Sequence, residues 1–258
     1  SKEELKKQEE ELKKIEQNRP TSRSSYFGIV DLAGFPKDRY YLYQSRWRPD
    51  FPMVHILPHW NFKDKIGENI PVFVYSSGDE VELFLNGKSL GKKCKQPYEY
   101  RFRWDSICYV PGELKAIAYK NGRKWAEKDL CTTGKPVKLK LVPDKMALQA
   151  DGEDLIFVRV SLLDAEGNEV PTAEPLITSS LSGPGMIVAT DNGDPTCLIP
   201  FREPTRPAFN GLYLAIVKAR RGSKGTLRLC VEADGLDKQE VSFQILNKKE
   251  KRKHLLTD

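Results

Sequence analysis

Apolar and polar side chains alternate with a period of two along most of the chain after Ile70. Runs such as "EVELFL" and "ELKAIAYK" are typical of half-buried β-strands. Asn86-Gly87 and Asn121-Gly122 each separate two such runs, and Asn-Gly between alternating runs is a strong signal for a tight hairpin. We therefore predict a small immunoglobulin-like β-sandwich over residues 59–134.

A second β-rich unit follows over residues 135–247. The runs "LIFVRVSLL", "GLYLAIVKA" and "GTLRLCVEA" have the same strand character, and turn residues recur between them. We predict a second immunoglobulin-like β-sandwich there. The predicted fold class is therefore mainly β, with two sandwich domains in tandem.

The first 58 residues have a different pattern. Glu and Lys four residues apart, beside a thin apolar stripe, predict a charged surface helix within residues 1–21. The apolar run over residues 26–32 predicts one short strand, and the aromatic stretch that follows predicts one helix beginning at Pro36. One strand and one helix without partners indicate that residues 22–58 are the remnant of a larger domain.

The aromatic side chains of that predicted helix share a face. Tyr40, Tyr43 and Trp47 are spaced three and seven residues apart, which places them on one side of an α-helix. We expect this face to need a large partner surface, because exposed apolar faces favour association.

The net charge of +6 raises the question of a nucleic-acid partner. Residues 248–254, "KKEKRKH", contain five Lys or Arg and one Glu, so residues 248–258 are predicted to be a basic tail that accounts for most of the excess. No recognition helix accompanies it, and we expect neither a basic face nor a nucleic-acid partner. No apolar run predicts a membrane span, and the first residues do not resemble a signal peptide.

The cysteines and histidines do not predict a metal site. The five cysteines have no C-x-x-C spacing, and an odd number argues against a disulfide framework. His55 and His59 lie in an extended, proline-interrupted stretch, while His254 is far away in the sequence. We expect no metal and no cofactor.

Two groups of acidic side chains have alternative interpretations. Glu80 and Glu82 alternate with apolar residues and could be paired carboxylates, but a polar strand face is favoured because no cleft is predicted around them. In "ATDNGDPT", Asp191, Asn192 and Asp194 could ligate calcium or form a tight turn, and the loop lacks the spacing of a calcium loop. We favour the turn.

Aromatic side chains in the sandwiches could stack on sugar rings. Trp104 lies in an alternating run and is predicted to be core, and Trp125 is a candidate by residue type alone. Trp60 and Phe62 precede the first long strand, so we predict that they pack at an interface between domains, with sugar contact as the alternative.

Long ordered stretches of the chain resemble one enzyme family. "SRSSYFGIVDLAGFPKDRYYLYQSRWRPD", "VELFLNGKSLGKK" and "PGELKAIAYKNGRKWAEKDLCTTG" resemble the C-terminal portion of glycoside hydrolase family 2 enzymes, in particular β-galactosidase-like members of gut Bacteroidetes. In that family a (β/α)₈ barrel carries catalysis and sandwich domains flank it. The resemblance implies that residues 22–58 end the barrel and that residues 1–21 are an insertion.

The resemblance also implies a function for the parent enzyme and a non-catalytic role for this chain. The two catalytic Glu residues of the family lie on earlier barrel strands, so the chain is expected to contain no catalytic residue. It would be the accessory region of a retaining exo-glycosidase, a β-galactosidase that removes terminal non-reducing galactosyl residues. Ser24, Ser25 and Tyr26 would then be substrate-subsite candidates, with a plain loop role as the alternative.

Partners and location follow from the same resemblance. The expected partners are the upstream barrel of the same enzyme and, through it, a β-galactoside-containing glycan, with homo-oligomer formation left open. The parent protein would be periplasmic or secreted. The competing hypothesis is a standalone module whose sandwiches bind a glycan or a cell-surface partner.

Overall fold

The computed structural model describes residues 22–246, which fold into two β-sandwiches in tandem. The predicted helix within residues 1–21 and the predicted basic tail lie outside the described residues. In the part that is described, no helix is both long and apolar enough to cross a membrane. Each sandwich buries its own cluster of apolar side chains, and the predicted mainly-β fold class is confirmed.

The first sandwich packs a sheet of order β1-β2-β5 against one of order β4-β3-β6-β7. Alternate residues of its strands point inward and form a closed core, as the two-residue period predicts. The strands are β1 (Val54–Leu57), β2 (Asn69–Ser76), β3 (Glu80–Leu85), β4 (Lys88–Cys94), β5 (Phe102–Cys108), β6 (Glu113–Lys120) and β7 (Arg123–Cys131).

Both predicted Asn-Gly hairpins are confirmed. Asn86 and Gly87 join β3 to β4, and Asn121 and Gly122 join β6 to β7. All four residues have positive φ, between 50° and 78°, as a type I′ turn requires. The strand β1 extends the first sandwich toward the N-terminus, because it pairs antiparallel with β2. The sandwich therefore begins before the predicted boundary at residue 59.

The second sandwich consists of layers of order β12-β14-β10-β8 and β13-β11-β15-β16, and β9 lies beside β16. A single parallel bridge from Asp237 to Lys138 joins the two layers at one side. The strands are β8 (Lys138–Pro143), β9 (Ala147–Gln149), β10 (Leu155–Leu163), β11 (Leu176–Ser182), β12 (Gly185–Asp191), β13 (Thr205–Pro207), β14 (Leu212–Ala219), β15 (Gly225–Ala233) and β16 (Leu236–Leu246).

The segment before the sandwiches contains the predicted helix but not the predicted strand. Helix α1 (Asp38–Trp47) begins two residues after Pro36, where the sequence predicted its start. Residues 26–32 form turns, and only Val30 makes a β-bridge, to Pro36. The prediction of a strand there was wrong, because an apolar run forms a strand only beside a partner strand, and the nearest neighbours are loops.

Candidate functional site

The segment of residues 22–35, here called the junction segment, lies against the second sandwich. Its contact is the β12–β13 loop (residues 192–204), which connects two strands of that sandwich. The amide of Arg23 donates to the carbonyl of Pro195 at 2.7 Å, and the Arg23 guanidinium lies 4.7 Å from the centre of the Phe201 ring. These contacts hold the start of the junction segment on the β12–β13 loop.

The structure places the predicted subsite residues together on this segment. Ser24 is half-buried, whereas Ser25 is exposed and its hydroxyl accepts the amide of Phe27 at 3.1 Å. Tyr26 is 59% exposed. The described residues thus bring these three side chains to one exposed turn, where a loop role and a subsite role both remain compatible with the geometry.

Asp31 makes the second contact between the two loops. Its side chain packs against Gly193, where a Cβ atom would lie in contact with the Asp31 carboxylate. Burial raises the pKa of Asp31, and the neighbouring Asp191 carboxylate adds to the rise. Amide donors oppose this shift, among them Phe35, which donates to Asp31 Oδ1 at 2.9 Å. The contact is therefore most favourable when Asp31 is protonated.

Asp31→Asn should strengthen this contact at neutral pH. A raised native pKa means that the contribution of protonated Asp31 is complete below about pH 3.8 and is lost as the pH rises through the native value. Asn resembles the protonated form and can still accept the Phe35 amide. We expect hydrogen exchange at Phe35 to become a few-fold slower at pH 7 in the variant, with little difference between variant and parent at pH 3.5.

Exchange rates must be corrected for the intrinsic pH dependence of amide exchange. Asp105→Asn is the matched control, because Asp105 is exposed on the first sandwich. Slower exchange in both variants, or a larger effect at pH 3.5 than at pH 7, would contradict the assignment.

The predicted turn in the β12–β13 loop is present. The Asp191 carboxylate accepts the amides of Asn192 and Gly193 at 2.7 and 3.2 Å, and Asp194 Oδ1 accepts the amide and hydroxyl of Thr196 at 2.8 and 2.7 Å. These oxygens are engaged in turning the chain. Within residues 22–246, no group of three or more His, Cys, Asp or Glu is arranged to hold a metal ion.

A buried arginine, which the sequence did not single out, supports the β12–β13 loop. Arg206 is fully buried, and its guanidinium donates to Thr190 Oγ1 at 2.8 Å and to the carbonyl of Pro200 at 2.9 Å. A third donation reaches the sulfur of Cys197 at 3.7 Å. These bonds tie both ends of the loop to β13, so Arg206 fixes the surface on which the junction segment lies.

Helix α1 rests on the first sandwich through an aromatic contact. The Tyr41 ring stacks on the His55 imidazole with centroids 4.0 Å apart, and the Tyr75 ring lies 6.1 Å away on the sheet. His55 Nε2 also lies 2.7 Å from Asp38 Oδ1. The first residues of the chain that are described are thus anchored to both sandwiches.

Several apolar side chains of this N-terminal part are exposed. Trp47 is 71% exposed and stacks only on Tyr43, at 4.8 Å, and Phe27 is 75% exposed. Other apolar side chains of the junction segment are also exposed: Tyr26, Ile29, Val30 and Leu32. We call Trp47 and these exposed junction-segment side chains the bare apolar face.

The two aromatic candidates before β2 differ in exposure, because Trp60 is buried in the core of the first sandwich and Phe62 is half-buried. Trp60 is 0% exposed, and its Nε1 donates to the carbonyl of Val110 at 3.1 Å. Its ring meets Tyr109 edge-on at 4.9 Å, and Phe62 lies edge-on to the same Tyr109 ring at 5.6 Å. The sugar-contact alternative is therefore excluded for Trp60, because the core of the first sandwich surrounds its ring. Trp104 is likewise buried, as predicted.

Glu80 and Glu82 lie on the outward side of β3, as predicted, and each has its own neighbours. Glu80 pairs with Lys92 at 3.4 Å, and Glu82 accepts the Ser89 hydroxyl at 2.7 Å. The five cysteines are all free thiols.

A polar cleft of about 390 Å³ separates the two sandwiches. His59, Asn61 and Glu169 are among its lining residues. Burial lowers the pKa of His59, whose ring stacks on Phe62 at 4.8 Å. Asn61 is occupied, because its Oδ1 accepts both the amide and the hydroxyl of Thr133 at 2.8 and 2.9 Å. The cleft thus lies between the domains, and its lining also includes the free thiol of Cys131, whose pKa is raised by burial.

Each of the two sandwiches matches a known domain family. Residues 139–242 match the model of glycoside hydrolase family 2 C-terminal domain 5, and residues 67–126 match a domain of unknown function, DUF4982. The chain is 45% identical over 216 residues to a β-galactosidase of Bacteroides ovatus, which covers 83% of this chain. It is 31% identical over 169 residues, or 65% of the chain, to a β-glucuronidase of Formosa agariphila.

Solved structures agree with these matches. A β-glycosidase from Bacteroides vulgatus superposes with a TM-score of 0.81 at 33% identity, over 87% of this chain and 28% of that one. A glycosyl hydrolase family 2 member from Bacteroides cellulosilyticus gives a TM-score of 0.79 at 29% identity, over 85% of this chain and 32% of that one. The chain spans 25% of the length of the Bacteroides ovatus relative and 17% of the Formosa relative.

Proposed function

Since this chain contains the C-terminal domain of glycoside hydrolase family 2, we propose that it is the accessory C-terminal region of a longer family 2 glycosidase. The catalytic (β/α)₈ barrel would lie upstream, and the junction segment with helix α1 would complete it. The chain would then hold the barrel in place and shape its surroundings without performing chemistry.

The bare apolar face is the observation that carries this proposal. The N-terminal part is anchored to both sandwiches, and it also exposes Phe27, Trp47 and further apolar side chains. A stretch of this kind on a soluble domain indicates a missing partner surface. The two relatives are about four and six times as long as the matched region, which supports a partner from the same polypeptide.

We propose that the parent activity is hydrolysis of terminal β-galactosyl residues by the retaining mechanism. The 45% identity over 216 residues to a β-galactosidase supports this activity, and the putative β-glucuronidases match at 39% and 41% over shorter stretches of 171 and 123 residues. A retaining enzyme needs two carboxyl groups about 5–5.5 Å apart, one of them with a raised pKa. Glu80 and Glu82 on β3 do not meet this need, because an ammonium group and hydroxyl groups engage them.

Ser24, Ser25 and Tyr26 are part of the same proposal as subsite residues. They would face the substrate if the exposed turn they form lies at the rim of the barrel, where folds of this type place their active sites. A periplasmic or secreted location for the parent enzyme is also proposed, since an exo-glycosidase of this kind acts on glycans from outside the cell.

The chain alone should show no turnover of an aryl β-galactoside or an aryl β-glucuronide, whereas the longer gene product should hydrolyse one of them. The longer product is the one that the proposal expects to be encoded together with this chain. Both proteins are assayed with both substrates, and circular dichroism confirms that the chain alone is folded. Turnover by the chain alone, or an inactive longer product, would refute the proposal.

A further inference from the structure

Positive side chains are concentrated along β4, β5 and the loop between them, where an edge of each sheet of the first sandwich lies. Residues 86–103 contain six Lys or Arg and one Glu, a local charge of +5 in a chain whose net charge is +6. We expected the excess of positive charge to lie mainly in the tail. That expectation was incomplete, because acidic residues elsewhere in the chain offset the charge of residues 86–103 in the net value. We call it the basic patch, which consists of Lys88, Lys92, Lys93, Lys95, Arg101 and Arg103.

The fold brings these residues together. Strand β4 is an edge of one sheet and β5 is an edge of the other, and the two edges meet on the same side of the sandwich. Lys93 Nζ donates to the carbonyl of Arg103 at 2.6 Å, and Trp104 Nε1 donates to the carbonyl of Leu90 at 3.3 Å. The loop between the two strands carries Lys95.

Most of these cations have no carboxylate partner. Lys92 pairs with Glu80, and Arg103 pairs with Asp105. The other four patch residues make no ion pair with any residue between 22 and 246. The patch therefore keeps a net positive field that an anion can use.

The Lys95 ammonium group lies close to another positively charged side chain, Arg46. Its ammonium group is half-buried and donates to the carbonyls of Ser76 and Gly78 at 3.4 and 3.3 Å. Burial lowers the pKa of Lys95, and the neighbouring Arg46 guanidinium lowers it further. A bound anion would relieve this repulsion.

Exposed aromatic rings accompany the cations. The Arg101 guanidinium lies 4.2 Å from the centre of the Phe73 ring and 5.1 Å from that of Tyr100. Tyr98 is fully exposed on the loop between β4 and β5, at a φ of 65° that non-glycine residues seldom adopt. Flat rings beside cations offer stacking and charge pairing to the same ligand.

Protection of a sheet edge does not account for this arrangement. Lysines on β4 are what an exposed edge strand carries to prevent pairing with other chains. Edge protection requires neither Arg101 on the Phe73 and Tyr100 rings nor a fully exposed tyrosine.

We propose that the basic patch binds an anionic polysaccharide. Carboxylate or sulfate groups of the polymer pair with the free cations, while Tyr98 and Tyr100 stack on the faces of its sugar rings. Because the chain contains a domain of a glycoside hydrolase family, a carbohydrate polyanion is favoured over a nucleic acid. The patch would hold the enzyme on a charged glycan.

Affinity electrophoresis of the 258-residue chain tests this directly. The gels contain polygalacturonate, chondroitin sulfate or neutral galactan, which separate carboxylate, sulfate and uncharged ligands. We expect retardation by at least one of the two charged polymers, weakened by added salt because charge pairing is screened, and none by galactan. Lys88→Gln/Lys93→Gln should bind about tenfold more weakly, since each exposed ion pair contributes up to about 1 kcal/mol.

Lys138→Gln/Lys140→Gln is the matched control, because it removes the same charge from β8 of the second sandwich. Tyr98→Ala tests the stacking step without changing charge. The proposal is overturned by equal loss of binding in the patch and control variants, by retardation in galactan, or by the absence of retardation in both charged polymers. Tighter binding to single-stranded DNA than to either charged polymer would also overturn it.

Discussion

Trp60→Ala should lower the free energy of unfolding of the first sandwich by about 4 kcal/mol. The Trp60 side chain is fully buried among Tyr109, Phe62 and the strands of both sheets, so its removal leaves a cavity too deep for the neighbours to fill. The carbonyl of Val110 also loses the donor that now satisfies it at 3.1 Å. Urea unfolding followed by circular dichroism, with hydrogen exchange to separate the two sandwiches, measures the effect.

Trp47→Ala is the control for this variant, because it makes the same chemical change at a tryptophan that is 71% exposed. We expect its effect on unfolding of the first sandwich to be within about 0.5 kcal/mol. Exchange in the second sandwich should stay unchanged in both variants. Equal destabilisation by the two substitutions, or loss of glycan binding in Trp60→Ala without loss of stability, would mean that Trp60 is not a core residue.

The burial of Trp60 shows what the sequence could not specify. "HILPHWNF" is interrupted by a proline and has no regular period, so nothing in it tells whether a ring points inward or outward. Only the antiparallel pairing of β1 with β2, and the distant Tyr109, create the pocket that the ring fills. Long-range contacts decided the role of this residue.

The two hairpins, in contrast to the burial of Trp60, are determined by local sequence. Asn86-Gly87 and Asn121-Gly122 set their turns by their own backbone preferences, and the alternating runs beside them set which side chains enter the core. Local chemistry therefore predicted the sandwiches correctly. It predicted residues 26–32 wrongly, because their apolar side chains are exposed and only Val30 makes a β-bridge.

In the candidate site too, features set by neighbouring residues were predictable from the sequence, and features set by distant residues were not. The turn around Asp191 and Asp194 was predicted, because Asx side chains bond to amides one or two residues away. The close approach of Asp31 to Gly193 and the buried Arg206 were not, since each depends on residues far apart in the sequence. The basic patch was visible in the composition of residues 86–103, and its two-edge geometry was not.

Gly211→Ala should lower the free energy of unfolding of the second sandwich by about 3 kcal/mol. Gly211 has a φ of 74°, and a Cβ there would lie 2.3 Å from the carbonyl oxygen of Val170. Its amide donates to Ala173 at 3.0 Å and its carbonyl accepts from Leu162 at 2.9 Å, so the turn cannot move away without breaking these bonds. Urea unfolding and hydrogen exchange in β14 measure the loss.

Gly235→Ala separates the two causes of that loss. Gly235 lies in the same sandwich with a φ of 75°, but a Cβ there meets nothing within 4 Å. This variant should cost about 1 kcal/mol, which is the conformational term alone. The difference between the two variants then measures the close approach of the Gly211 turn to the 164–175 loop. If the two variants lost the same free energy of unfolding, the 164–175 loop would have moved to accommodate the added methyl group. That result would show that the Gly211 turn does not hold this loop rigidly.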